Sequence, residues 1–92
     1  MNIENKVVVV TGAASGIGRA LAQAFKNARA DKVYIADLNE EGLAETADLM
    51  DGIAIKTDVS KESEIRSLIE EVNKEIDIDI SVSYTHLRAH ET

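Results

Sequence analysis

The chain is short and acidic: its 92 residues include 17 Asp or Glu and ten Lys or Arg, which gives a formal net charge of −7. This charge repels phosphate backbones and anionic headgroups, so nucleic acid and membrane surfaces are disfavoured as partners. The sequence has no Cys, which excludes disulfides and thiolate metal sites. Residues 1–5 show neither the basic start nor the long apolar run of a signal peptide, and we expect one small cytoplasmic domain without a membrane span.

Strand and helix patterns alternate along most of the chain. Residues 6–11 (KVVVVT) form a β-branched run typical of a strand buried on both faces, and residues 32–37 (KVYIAD) and 53–57 (IAIKT) predict two further strands. Each run is followed by apolar residues spaced three and four apart, which predicts three helices. This βαβαβα order predicts an α/β fold with a parallel sheet.

Capping signals predict where the three helices begin and end. The first helix is expected to run from Gly16 to residues 28–30. The second is expected to begin after Asn39 and to stop at Gly52, and Ser60 is expected to cap the third. The apolar faces predicted for the second and third helices consist of Leu43, Ala44, Ala47 and Met50 and of Ile65, Leu68, Ile69 and Val72.

The turn between the first strand and the first helix carries the strongest functional signal. Residues 11–18 read TGAASGIG. Glycine permits a tight turn and a close approach of the backbone to a pyrophosphate, and the start of the helix adds free N–H donors. A P-loop NTPase is disfavoured because Arg19 stands where a P-loop has Lys, and a Gly/Ala-rich connection without function is the alternative. The predicted pyrophosphate site consists of Gly12, Ser15, Gly16, Ile17 and Gly18.

This motif, Thr-Gly-x-x-x-Gly-x-Gly after an N-terminal strand, resembles the cofactor fingerprint of the short-chain dehydrogenase/reductase family over residues 6–74. The resemblance implies a Rossmann-like NAD(P)-binding fold, here a truncated βαβαβα(β) half with parallel sheet order 3-2-1(-4). It also implies a homo-oligomeric parent enzyme that transfers hydride between a nicotinamide cofactor and an alcohol or carbonyl substrate. A sugar-nucleotide epimerase is disfavoured, because that branch shows Gly-x-x-Gly-x-x-Gly spacing.

Asp37 ends the second predicted strand, 19 residues after Gly18. At this place the family's carboxylate accepts hydrogen bonds from the adenosine ribose hydroxyls and repels a 2′-phosphate. By this resemblance Asp37 indicates NAD over NADP. Leu38 supports the same preference, because members of the family that prefer NADP often have a basic residue at that position. Arg19 is a cation close to the site and argues for NADP, unless it is an exposed helix residue. The alternative for Asp37 is a turn or cap residue.

Asp58 and Val59 follow the third predicted strand and resemble the family's adenine-contacting pair. A carboxylate can accept from the adenine amino group while the next backbone N–H donates to the ring. The alternative is that Asp58 caps the third helix. Residues 76–78 (IDI) resemble the start of the family's fourth strand.

The family's catalytic Ser and Tyr-x-x-x-Lys do not occur after this point in the sequence, so we expect no catalytic residue and no activity in this chain. Residues 81–92 resemble translated sequencing-adapter read-through, and we expect a non-native or disordered tail after a partial dinucleotide-binding domain of residues 1–80. Tyr84, His86 and His90 are interpreted as solvated side chains of that tail, and no metal site is expected. Loss of the fourth strand would leave residues 7–10 on an open apolar edge, with weak stability and a tendency to aggregate.

Two functions follow from these observations. The first is the NAD(P)-binding N-terminal portion of an oxidoreductase, with NAD as its cofactor and a small-molecule substrate bound only by the full-length parent. The alternative is a non-catalytic dinucleotide-binding module.

Overall fold

The computed structural model describes residues 3–14 and 16–83. Within them, strands and helices alternate as the sequence predicts, and the strands form one parallel sheet in the order third, second, first, fourth. The fold is a truncated α/β Rossmann-like half. Its elements in chain order are β1 (Val7–Thr11), α1 (Gly16–Asn27), β2 (Lys32–Asp37), α2 (Glu40–Met50), β3 (Ile53–Lys56), α3 (Glu62–Glu75) and β4 (Ile80–Ser83).

β1 lies inside the sheet, and all of its residues are buried. It pairs with β2 from Val7 onward, and with β4 from the Val8 and Ile80 pair to the Thr11 and Ser83 pair. The prediction that residues 7–10 form an open edge is therefore wrong, because β4 covers that side of β1. The outer strands of the described sheet are β3 and β4.

β4 begins later than the sequence suggests. Residues 76–78 precede the strand: Ile76 ends α3 and donates its N–H to the Val72 carbonyl at 3.0 Å. Both Ile76 and Ile78 pack against the apolar cluster beneath α3. The strand continues to Ser83, three residues past the predicted domain boundary at residue 80. The tail residues Tyr84, His86 and His90 lie outside the described residues.

Apolar side chains fill both faces of the sheet, since β1 and β2 are buried strands whose residues alternate between the faces. α1 and α2 cover one face, and α3 covers the other. The first cluster is centred on Val8, Val10, Ala22, Val33, Ile35, Leu43 and Met50, and the second on Val7, Val9, Tyr34, Ala36, Leu68 and Val72.

The helix ends agree with the sequence in part. Asn39 caps α2, and its side-chain oxygen accepts the Gly42 N–H at 3.1 Å. Gly52 is not the left-handed residue that ends α2: Asp51 adopts that conformation, with φ 56°, because Asp tolerates it better than most residues. Ser60 does not cap α3, which begins after Lys61 without a side-chain cap bond.

The face that α2 turns toward the sheet is also shifted. Ala44 is exposed, while Gly42 and Thr46 are buried beside Leu43 and Met50. The reason is that α2 packs against the turn after β1 as well as against the sheet. None of the helices in the described ranges is long and apolar enough to cross a membrane.

Candidate functional site

Residues 12–14 and the first residues of α1, 16–18, are together called the glycine turn, and they lie near the carboxyl end of β2. The N–H groups of Gly12 and Ala13 donate to the Ala36 carbonyl at 2.8 and 3.3 Å. The next N–H, that of Ala14, donates to Oδ2 of Asp37 at 3.0 Å. The structure thus brings together two of the predicted site features that lie far apart in the sequence.

Three glycines of this turn have positions that disfavour a residue with a Cβ. Gly12 and Gly16 have φ angles of 76° and 60°, in the left-handed region that disfavours residues with a Cβ. A Cβ on Gly18 would overlap with the carbonyl oxygen of Gly12, so α1 could not lie where it does. Ser15 falls outside the described residues.

The start of α1 provides what an anionic group requires. α1 begins at Gly16, and the N–H groups of a helix's first turn have no partner within the helix. They add to the positive end of the helix dipole. Ile17, in this first turn, has 57% of its surface exposed, so the site is open to solvent and to a ligand.

The Asp37 carboxylate is held in place but retains acceptor capacity. Oδ2 accepts from Ala14, and Oδ1 accepts the Asn39 N–H at 3.1 Å. An ionised carboxylate offers about four acceptor positions, so two remain for other donors. The contact with Asn39 agrees with the alternative of a turn residue, and the contact with Ala14 ties the same carboxylate to the glycine turn. Leu38, its neighbour, is 51% exposed.

Arg19 is neither a free cation nor an exposed helix residue. Its side chain is 26% exposed, and Nη2 donates to the Ala14 carbonyl at 2.6 Å and to the Gly42 carbonyl at 3.1 Å. Nε donates to Oγ1 of Thr46 at 2.8 Å. The guanidinium therefore faces α2, where Glu45 also accepts from it at 3.2 Å.

Sequence reasoning missed Thr46 and Gly42, which form the α2 side of these contacts. A glycine inside a helix is a recognisable signal, because it costs roughly 1 kcal/mol relative to Ala and usually marks a close approach of another segment. A Cβ on Gly42 would lie 2.8 Å from the Ala14 carbonyl oxygen. Thr46 carries no comparable signal, since its burial depends on how α2 is rotated.

The residues 58–61, the Asp58 turn, connect β3 to α3 near the same edge of the sheet. Oδ1 of Asp58 accepts from the Ser60 hydroxyl at 2.6 Å and from the Ser60 N–H at 3.1 Å. These two bonds, the hydroxyl first, hold the pKa of Asp58 below its ordinary value, with a smaller contribution from the Lys61 ammonium. The Asp58 N–H donates to Oε1 of Glu64 at 2.9 Å.

Asp58 therefore shapes the turn before α3, but it does not cap that helix, because the residue at the N-cap position is Lys61. Val59 lies in the same turn and is half-buried. The carboxyl end of β3 adjoins that of β2, because the Thr57 N–H donates to the Asp37 carbonyl at 2.9 Å. Within the described residues, no group of three or more His, Cys, Asp or Glu side chains is arranged to hold a metal ion.

Comparison with known proteins identifies relatives over most of the described fold. The sequence profile of the short chain dehydrogenase family matches residues 6–82. The uncharacterized oxidoreductase YxbG of Bacillus subtilis is 36% identical over 75 residues, which are 76% of this chain and 27% of that protein. An NAD-dependent glycerol dehydrogenase of Listeria innocua is 38% identical over 75 residues, covering 79% of this chain and 29% of the relative.

A solved structure agrees with these matches. The crystal structure of a short chain dehydrogenase from Bacillus anthracis superposes with a TM-score of 0.79 at 26% identity, over 92% of this chain and 36% of that one. The chain spans 27% and 29% of the two curated relatives, less than a third of either. The similarity thus covers the first β-α units of proteins that are longer than this chain.

Proposed function

The chain belongs to the short-chain dehydrogenase family, and we propose that it forms the dinucleotide-binding N-terminal portion of an NAD-dependent oxidoreductase. The observation that carries this proposal is the hydrogen bond from the Ala14 N–H to Asp37, which joins the glycine turn to the carboxylate at the end of β2. The bound cofactor would supply hydride transfer to or from an alcohol or carbonyl substrate. In the full-length protein, substrate and catalytic groups would be provided by the remaining part of the family fold.

The glycine turn fits the pyrophosphate of such a cofactor. The left-handed φ angles of Gly12 and Gly16 allow the backbone to approach a ligand that a Cβ would hold off. The first turn of α1 presents N–H groups and a positive dipole end to an anion. We assign the pyrophosphate to Gly12, Ser15, Gly16, Ile17 and Gly18, with Ser15 proposed from the sequence alone.

The adenosine ribose is assigned to Asp37, whose carboxylate has acceptor positions left for two hydroxyl donors. The local charge favours NAD over NADP. Glu40 and Glu41 follow Asp37 at the start of α2, and the ammonium of Lys56 lies 3.9 Å from a Glu40 oxygen. The Arg19 guanidinium faces α2, so a 2′-phosphate at Asp37 would meet mainly negative charge.

The adenine is assigned to Leu38, Asp58 and Val59. Oδ1 of Asp58 is used by Ser60, whereas Oδ2 lies 4.0 Å from the Lys61 ammonium and can accept from an amino group. The exposed Leu38 side chain offers apolar surface to the ring. A non-catalytic binding module is not favoured, because the family and both named relatives are oxidoreductases.

Calorimetric titration of the chain with NAD and NADP tests the proposal. We expect NAD to bind at least about tenfold more tightly, since a carboxylate that accepts hydrogen bonds contributes roughly 1.5–3 kcal/mol. Asp37→Asn removes the charge with little change of shape, and it should reduce the preference for NAD to less than about threefold. Asp48→Asn, at an exposed position of α2, is the matched control and should retain the preference. Tighter binding of NADP by the unsubstituted chain would contradict the assignment of Asp37.

A further inference from the structure

Two consecutive carbonyl groups of the glycine turn, those of Ala13 and Ala14, are held by α2 and Arg19. The Thr46 hydroxyl donates to the Ala13 carbonyl at 2.8 Å, and the Arg19 guanidinium donates to the Ala14 carbonyl at 2.6 Å. Arg19 and Thr46 are themselves joined, because Nε of Arg19 donates to the Thr46 hydroxyl at 2.8 Å. One connected network therefore fixes consecutive carbonyls of the turn.

A close approach of α2 makes this network possible. Gly42 lies so near the turn that a Cβ there would be 2.8 Å from the Ala14 carbonyl oxygen and 3.0 Å from the Ala14 Cβ. Four residues later Thr46 is fully buried, at 0% exposure. A buried hydroxyl requires hydrogen-bond partners. Thr46 accepts from Arg19, and its one proton has the Ala13 carbonyl as the nearer acceptor, at 2.8 Å, and the Gly42 carbonyl as the more distant one, at 3.1 Å.

Fixing the carbonyls also fixes the N–H groups of the same peptide bonds, because a trans peptide is planar. The peptide that carries the Ala13 carbonyl also carries the Ala14 N–H, which donates to Asp37. The Ala14 carbonyl, one residue further along, accepts from Arg19. A carbonyl oxygen turned toward a phosphate would repel it, and both oxygens are instead bonded to donors of Arg19 and Thr46.

We propose that Arg19 and Thr46 are positioning residues for the pyrophosphate of the dinucleotide, acting by holding the Ala13 and Ala14 carbonyls away from it. This inference rests on the proposed function and adds residues outside the glycine motif to it. The network does not touch Asp58 or Val59, and it meets the ribose carboxylate of Asp37 only through the Ala14 N–H. The Asn39 N–H holds that carboxylate independently, so the network should affect the phosphate half of the ligand much more than adenosine binding.

NMR titration of the chain with ADP and with adenosine tests this separation. Thr46→Val keeps the branched shape and removes the hydroxyl, whereas Thr46→Ser keeps the hydroxyl and removes a methyl group. We expect Thr46→Val to weaken ADP binding about tenfold while adenosine binding stays within about twofold. Thr46→Ser should keep ADP binding within about threefold of the unsubstituted chain. The amide resonances of Gly16 and Gly18 should shift in Thr46→Val and remain close to their original positions in Thr46→Ser.

A second pair of substitutions covers the case in which Thr46→Val does not fold. Arg19→Met keeps the aliphatic stem without donors and should resemble Thr46→Val, while Arg19→Lys keeps one charged donor and should lie between Arg19→Met and the unsubstituted chain. An equal loss of ADP and adenosine binding, or equal ADP affinities for the Val and Ser variants, would overturn the inference. If the unsubstituted chain bound neither ADP nor NAD, the proposed function would fail first and this inference with it.

Discussion

The glycine turn and the Asp58 turn lie at the same edge of the sheet but are held in opposite ways. The glycine turn is bonded to distant residues: Ala14 to Asp37 and Ala13 to Thr46, across sequence separations of 23 and 33 residues. Gly42 also lies close to Ala14. The side-chain bonds of the Asp58 turn connect residues two to six positions apart. One turn depends on the fold, and the other is largely built from its own sequence.

Burial follows the same division. Ala13 and Ala14 are 0% and 2% exposed, and their polar groups bond to α2, β2 and Arg19. In the Asp58 turn, Ser60 and Lys61 are exposed. A site that binds phosphate by backbone N–H groups benefits from a rigid turn, because its donors are then oriented before the ligand arrives. Substitutions in the glycine turn should therefore disturb the whole fold, and those in the Asp58 turn should remain local.

The largest effect is expected for Gly18→Ala. Its Cβ would overlap with the Gly12 carbonyl oxygen, so α1 would have to move away from the turn. We expect this movement to lower the free energy of unfolding by about 3 kcal/mol. Gly16→Ala is the matched comparison: its φ of 60° is unfavourable, but nothing lies within 4 Å of the added Cβ. That substitution should cost about 1 kcal/mol. Urea unfolding measures both, and a greater loss for Gly16→Ala would reverse the assignment of Gly18 as the packing glycine.

The same division explains how much of the fold the sequence reveals. β2 occupies residues 32–37 as predicted, because its β-branched and aromatic run is a local signal. The order of the sheet follows from the alternation of strands and helices and from the family resemblance. The glycine turn and Asp37 were recognisable because glycine spacing and the position of a carboxylate after a strand are also local patterns.

The missed features depend on contacts between distant segments. The predicted sheet order already places the fourth strand beside β1, but the position of that strand at residues 80–83 cannot be derived from so short a segment. The burial of Thr46 in place of Ala44 results from the approach of α2 to the turn at Gly42. The bonds of Arg19 could not be predicted either, because a guanidinium on a helix surface has many orientations until α2 supplies acceptors.

A smaller effect is expected at the starts of the two helices that follow these turns. Asn39 caps α2 with a side-chain bond to the Gly42 N–H, and Asn39→Ala should cost about 1 kcal/mol. Lys61 stands at the equivalent position of α3 without a cap bond, and its ammonium is 4.0 Å from Asp58. Lys61→Ala should therefore cost less than about 0.5 kcal/mol. Thermal unfolding of both variants checks this difference, and equal losses would show that the two helix starts are supported alike.

The smallest effect concerns the ionisation of Asp58. The Ser60 hydroxyl is the main reason that the pKa of Asp58 lies below its ordinary value, so Ser60→Ala should raise this pKa toward that value. Because the pKa is lowered in the folded state, the ionised carboxylate adds stability above the pKa of the unfolded chain, and this contribution is lost as the pH falls through the folded value. The pH range in which this contribution changes lies below about pH 4, between the pKa of Asp58 in the folded protein and its pKa in the unfolded chain. Ser60→Ala raises the first of these two pKa values and should therefore narrow the range. An NMR titration of the Asp58 carboxyl carbon measures the change, with Ser67→Ala on the exposed side of α3 as the control. An unchanged midpoint in Ser60→Ala would mean that the Ser60 N–H and the Lys61 ammonium, and not the Ser60 hydroxyl, lower the pKa of Asp58.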